Sequence, residues 1–222
     1  MAEQINRFKN RTEAGKELVE TLQKHKDLID NSMILAIPRG GVPVAYEVAI
    51  RLNIPFSLII TKKLSSPQNP EVAIGAIAPD GTYKINQRVY SLMNISDEEF
   101  QNIKEDALSK VHRRMDKYRD RKELSIKGKK VIIIDDGIAT GFTSLIAAKY
   151  AQEQGAEKVI LAIPVALSSS LHKVKEEFDQ VIAIISEGSY AIGAYYDDFH
   201  QNTDEELFDY IEKAKQKDLY YE

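Results

Sequence analysis

The chain has 222 residues, of which 43% are hydrophobic and 29% charged, with a formal net charge of −4; this suits one α/β domain with a core of its own and lacks the global basic character that would announce nucleic acid. There is no cysteine, which excludes disulfides, thiolate metal sites and a cysteine nucleophile. The opening MAEQINRFKNR has no apolar core of a signal peptide, and no apolar run approaches the ~18 residues that span a bilayer. A cytoplasmic protein without a membrane partner is expected.

Thr12 to Lys26 reads as a helix, because Ala14, Leu18 and Leu22 recur at helical spacing between charges. Met33 to Ile37 reads as a buried strand, followed by Pro38-Arg39-Gly40-Gly41, a helix over Val42 to Leu52 and a second strand over Phe56 to Ile60. This β-loop-α-β order builds parallel sheets. Thr61 to Pro70 is turn-rich, and Ala73 to Ile85 places apolar stretches around Asp80-Gly81, which predicts a hairpin. Ser96 with Glu99 forms a capping box that opens a charged helix to about Lys122. Its second half holds Lys110, Arg113, Arg114, Lys117, Arg119, Arg121 and Lys122. The plain reading of that run is a solvated helix face; the alternative is a docking surface for a phosphate-rich ligand or RNA.

Regularity returns at Lys130. Val131 to Ile134 predicts a buried strand, and Phe142 to Glu153 a helix that stops near Gly155. Strands follow over Val159 to Ile163 and Val181 to Ile185, with a helix over Ser168 to Glu177 between them. Thr203 and Glu206 form a second capping box that opens a C-terminal helix to about Lys217. There is no internal repeat, so one domain is expected: a core of about 12–60 and 128–190, an insertion of about 61–125, and a last helix of about 203–217.

The chemistry concentrates between Val131 and Thr143, VIIIDDGIATGFT. In an open α/β sheet, ligands bind at the carboxyl ends of the strands, where Asp135 and Asp136 sit. Two adjacent carboxylates repel, so hydroxyl donors, a metal or backbone amides should offset them. Gly137, Ala139, Thr140, Gly141 and Thr143 are small or hydroxylated and lead into a helix, which lets an anion approach backbone amides and a helix N-terminus. Acceptors for sugar hydroxyls thus lie beside donors for a phosphate, as a ribose 5-phosphate requires. Competing patterns are missing: no GxxxxGK[ST], no HExxH, and no GxSxG around Ser168-Ser169-Ser170. His25, His112, His172 and His200 show no metal-ligand spacing and read as structural.

VIIIDDGIATGFT resembles the PRPP-binding signature of type I phosphoribosyltransferases, and IPRGGVPVAYEVA resembles that family's pyrophosphate loop. The likeness covers roughly residues 34–185 in spacing and strand order. It implies the type I phosphoribosyltransferase fold, a parallel Rossmann-like α/β sheet flanked by helices, with a hood and flexible-loop insertion. It implies that Asp135 and Asp136 hold the ribose hydroxyls, directly or through Mg. Gly137, Ile138, Ala139, Thr140, Gly141, Phe142 and Thr143 would hold the 5′-phosphate. Arg39, Gly40 and Gly41 would hold pyrophosphate, with a cis peptide at Pro38–Arg39, and Lys62 and Lys63 would reach the PRPP phosphates. Arg39 also has a bland reading as a surface ion pair.

The implied activity is transfer of 5-phosphoribosyl from PRPP to a nitrogen nucleophile, a nucleobase above all, with Mg as cofactor and a homo-oligomer as the assembly. Lys63 to Pro79 would be the lid, with Glu71 within it as an aid to proton transfer. Members acting on 6-oxopurines usually carry a Lys at the end of the strand after the PRPP motif. Ile163 stands there in this chain, so 6-oxopurine recognition is not expected. Tyr190, Tyr195 and Tyr196 could stack on a ring, although core packing is their simpler use. The competing reading is a PRPP-sensing regulator on the same fold that binds RNA or DNA.

Overall fold

The computed structural model describes residues 7–70, 72–118, 125–188 and 191–221. In chain order the elements are α1 (Arg11–Leu22), α2 (Lys26–Ile29), β1 (Ser32–Ala36), α3 (Gly41–Leu52), β2 (Phe56–Leu58), β3 (Lys62–Ser65), β4 (Ala73–Ile77), β5 (Tyr83–Ile85), α4 (Gln87–Tyr90), α5 (Asp97–Tyr118), β6 (Lys130–Ile134), α6 (Phe142–Glu153), β7 (Lys158–Leu167), α7 (Ser168–Lys175), β8 (Gln180–Gly188), a 3-10 turn (Ile192–Tyr195) and α8 (Asp204–Lys215). No helix among the described residues is long and apolar enough to cross a membrane.

Five strands form a parallel sheet in the order β2-β1-β6-β7-β8. β1, β6 and most of β7 are buried on both faces, which is why their sequences are continuous Val, Ile, Leu and Ala runs rather than alternating ones. One core layer sits under α1, α3, α5 and α8 around Ile34, Phe56, Ile132 and Ile160. The other lies against α6 and α7 around Leu35, Ile133, Leu161 and Ile146. This is the α/β fold that the sequence predicts, with helices on both faces.

The chain leaves β1 toward β2 on one side and returns through β6 on the other, so the strand order reverses between β1 and β6. Ligands bind in the crevice at such a switch point. Ala36 and Ile134 are register partners there, so the segments that follow them start side by side.

The insertion departs from expectation. Thr61 to Pro70 is not all turn: Lys62–Ser65 is a strand that pairs antiparallel with β4, with a bulge between Leu64 and Ser65, and β5 completes a second, three-stranded sheet. Two stretches of the segment expected as a lid, Lys63 to Pro79, are therefore built into that sheet as β3 and β4. α5 packs across it through Phe100, Ala107, Val111, Met115 and Tyr118. Glu71, Tyr190 and the basic residues Arg119, Arg121 and Lys122 lie outside the described residues. β7 runs to Leu167 rather than Ile163, and the helix expected over Thr12 to Lys26 is α1 followed by the one-turn α2.

α1 crosses α3 at close range. A Cβ at Gly15 would lie 2.8 Å from Glu47 Cβ and 3.0 Å from the Val44 carbonyl. Glycine costs a helix about 1 kcal/mol relative to alanine, so its use here is the close approach. That crossing sets where the first residue of α1, Arg11, points.

Candidate active site

The segment after β6 carries the acid pair. Asp135 Oδ1 accepts from the Asp136 amide at 2.9 Å, and Asp136 Oδ2 accepts from Arg11 Nε at 2.7 Å. Burial, and then the neighbouring Asp136 charge, hold the Asp135 carboxyl well above its ordinary range. Tyr196 donates its hydroxyl to the Asp136 carbonyl at 2.6 Å. Burial and the acid pair push that phenol upward, so it stays protonated and keeps donating.

Arg11 is the residue the sequence concealed. It is buried, its Nη1 donates to the His200 carbonyl at 2.7 Å, and its guanidinium lies 4.0 Å over the Phe199 ring. The side chains of the Arg11–Asp136 pair are 8% and 15% exposed. Arg11 thus places a counter-charge against Asp136 where a carboxylate alone would be costly. An N-terminal residue beside a polar stretch, 125 positions from its partner, gives no local signal of this contact.

The glycine-rich loop then turns into α6. Ile138 is buried and committed: its amide donates to Val165, and its carbonyl accepts from Leu167. Of the residues expected at the 5′-phosphate, Ile138 therefore anchors the loop and has no amide to give. Gly141 has φ +78 and caps α6 with no side-chain hydrogen bond. The first amides of α6, at Phe142 and Thr143, stay free of a side-chain cap, with exposed Ala139 and Thr140 beside them. This is a backbone cradle for an anion at the end of a 12-residue helix. Ser170 clamps the loop from outside by donating to the Ala139 carbonyl.

The segment after β1 meets the acids directly. The Pro38–Arg39 peptide is cis, as the resemblance implies. A Cβ at Gly40 would lie 2.1 Å from Asp136 Oδ2, and one at Gly41 would lie 2.7 Å from the Ile134 carbonyl and 2.9 Å from Asp135 Cα. Both glycines are required by contact between the two loops.

The cations expected at the pyrophosphate end are not all brought together. Arg39 Nη1 pairs with Asp204 Oδ1 at 3.3 Å, the ion-pair alternative. Asp204, at the start of α8, also accepts from Lys117 and from the Tyr118 hydroxyl. Those hydrogen bonds hold its carboxyl down at about 2. Lys62 and Lys63 are successive residues of one strand and point to opposite faces. Lys62 turns toward α5, whereas Lys63 is exposed.

The tyrosines after β8 are core residues. Tyr195 and Tyr196 are buried, and Tyr196 stacks on Phe199 at 4.9 Å. His112 contacts the Pro79 carbonyl, His25 contacts Gln180, and His200 bridges Asp198 and Glu206, so these three hold elements together. Level with the acid pair on β7, Ile163 is fully buried, and no lysine follows before Ser168.

Residues 1–200 match the family model for the phosphoribosyl transferase domain, and the chain belongs to that family, a class of pentosyltransferases. A Mycobacterium tuberculosis protein, Rv0571c, whose name marks it provisionally as a phosphoribosyl transferase, is 32% identical over 209 residues. That match takes 93% of this chain and 47% of the relative, so the chain spans about half the length of its curated relative. TT1426 from Thermus thermophilus, known from its crystal structure, is 32% identical with a TM-score of 0.77 over 92% of this chain and 97% of that one. Orotate phosphoribosyltransferase of Fusobacterium nucleatum is 46% identical over 54 residues, 24% of this chain and 25% of that enzyme.

Proposed function

We propose that this chain transfers a 5-phosphoribosyl group from PRPP to a nitrogen nucleophile, releasing pyrophosphate. The observation that carries the reading is the switch point between β1 and β6. A paired carboxylate, a helix N-terminus without a side-chain cap and a Gly-Gly loop in contact with the carboxylate follow the carboxyl ends of β6 and β1 there.

In this reading the ribose 2′ and 3′ hydroxyls donate to the carboxylates of Asp135 and Asp136. The 5′-phosphate sits on the amides from Ala139 to Thr143, with the Thr140 and Thr143 hydroxyls. The diphosphate faces the backbone of Arg39 to Gly41. The carbon C1 bond to the diphosphate oxygen breaks, the pair of electrons leaves with pyrophosphate, and the nitrogen lone pair forms the new bond. Ribose is oxocarbenium-like in between, as in glycoside cleavage. The chain's contribution is to fix the sugar from both ends, and to place the Asp136 carboxyl near the developing positive ring.

Mg fits the donors present. Asp135 and Asp136 offer hard carboxylate oxygens, and among the described residues no cluster of three or more metal-ligating side chains surrounds them. Mg is commonly held by one or two carboxylates, with the rest of its shell from water and substrate phosphates. When bound it would neutralise charge on the leaving pyrophosphate.

The test is a panel of pyrimidine and purine bases, orotate included, scored by pyrophosphate release with Mg and PRPP. The reading expects one base class to give release that Asp135→Asn/Asp136→Asn abolishes. Release that survives the double substitution would reject the site. The proposal includes a homo-oligomer, which sedimentation checks.

A further inference from the structure

α5 carries two stripes. Its apolar one faces the second sheet. Beside it, Lys110, Arg113, Arg114 and Lys117 recur at i, i+3, i+4 and i+7, which places them on one face. Lys62, from a different element, closes the groove opposite them, and these five cations line a cavity of about 300 Å³.

Counter-charge is scarce there. Lys110 is paired with Asp106, and Lys117 shares Asp204 with Arg39. Lys62, Arg113 and Arg114 form no ion pair with a carboxylate among the described residues. Partial burial, and then the Arg114 and Lys110 charges, push the Lys62 ammonium below its ordinary range. A solvated helix face would not recruit a half-buried lysine from a neighbouring strand against that repulsion. Like charges gathered from two elements are stabilised when an anion joins them.

We propose that the α5–β3 groove is a second anion site that takes a diphosphate or longer oligophosphate group. Seven residues of helix rise about 10 Å, longer than one phosphate and matched by a chain of two or three. Arginine forks suit phosphate oxygens in pairs. Asp204, which Lys117 and Arg39 share, ties one end of the groove to the segment after β1. Two sources carry this chemistry: the diphosphate arm of PRPP itself, and a separate oligophosphate ligand. The short groove and the net charge of −4 favour a small ligand over RNA. The site stands on residues other than the acid pair and does not need that reading.

Inorganic tripolyphosphate is titrated calorimetrically into the full chain, into Arg113→Ala/Arg114→Ala and into Asp135→Asn/Asp136→Asn, each with and without saturating PRPP. Saturable one-site binding is expected in the wild type, at least tenfold weaker in the arginine variant and unchanged in the aspartate variant. Because Arg113 and Arg114 are exposed, the arginine variant should melt as the wild type does. Competition by PRPP assigns the groove to the diphosphate arm, and simultaneous binding assigns it to a separate ligand. Equal affinity in the arginine variant, or no saturable binding, overturns the proposal. So does binding of an RNA oligonucleotide where tripolyphosphate fails. Absence of PRPP binding by the wild type with tripolyphosphate binding intact would count against the acid-pair reading alone.

Discussion

Arg11, Gly40 and Asp135 are the residues on which the site turns. Arg11→Met leaves Asp136 as a buried, unpaired carboxylate, which costs about 3 kcal/mol by the usual penalty for breaking one side of a buried pair. For a chain of this size that lowers the melting temperature by roughly 6–12 °C. Arg11→Lys should recover part of the stability but less of the PRPP affinity, because an ammonium cannot hold Asp136 and the His200 carbonyl in one fork. Calorimetry with PRPP separates the two effects, and equal recovery of both would reduce Arg11 to a packing residue. Gly40→Ala forces a methyl into the Asp136 carboxylate, so PRPP affinity should fall at least tenfold while the melting temperature moves less than in Arg11→Met.

Asp135 has the opposite character. Its folded-state pKa lies above the unfolded value. Its contribution is therefore fully present below the unfolded pKa and is lost as pH rises through the folded one. Asp135→Asn removes that loss. Its melting temperature should match wild type near pH 4 and exceed it at pH 8, while activity disappears. A variant no more stable than wild type at pH 8 would show that the carboxyl is not strained by its surroundings.

At the scale of elements, α8 holds Arg39 and Lys117 through Asp204. Asp204 is its first residue, and the Thr203–Glu206 capping box is complete. Thr203→Ala should cost about 1 kcal/mol, seen as a melting-temperature drop of roughly 2–4 °C. Tyr118 stands at about 12, raised first by burial and then by its bond to Asp204. Asp204→Asn should bring its ultraviolet titration back part of the way toward 10; no movement would mean the bond does not form in solution.

Element by element, the sequence shows the parallel sheet well. Doubly buried strands such as Val131 to Ile134 are continuous apolar runs, and both capping boxes mark true helix starts. β3 is hidden because only Leu64 of its four residues is buried and Ser66-Pro67 follows. β7 outruns its expected end because Pro164 looks like a stop. The last β7 residue with a register partner on β6 is Ala162, opposite Ile134, so the missing amide of Pro164 costs no bond on that side, and β8 continues the pairing.

For the whole molecule, the acid pair and its loop are legible because local chemistry needs local spacing. Asp135 through Thr143 lie in one stretch, and the Pro-Arg-Gly-Gly segment follows a strand. What pins them is not local. Arg11 reaches Asp136 across 125 positions, Tyr196 across 60 and Asp204 reaches Arg39 across 165. Those contacts exist only once α1, α8 and the segment after β8 have folded onto the sheet, and no pattern in any one segment announces them. The groove between α5 and β3 is of the same kind, half visible as a basic run and completed by Lys62 from elsewhere.

The central claim is that the β1–β6 crevice binds PRPP through Asp135 and Asp136. Titrating PRPP with Mg into wild type and into Asp135→Asn/Asp136→Asn, with heat as the readout, tests it most directly. The account predicts saturable binding by the wild type and none by the double variant. No binding by the wild type at millimolar PRPP would contradict it, and the crevice would then belong to another phosphorylated ligand.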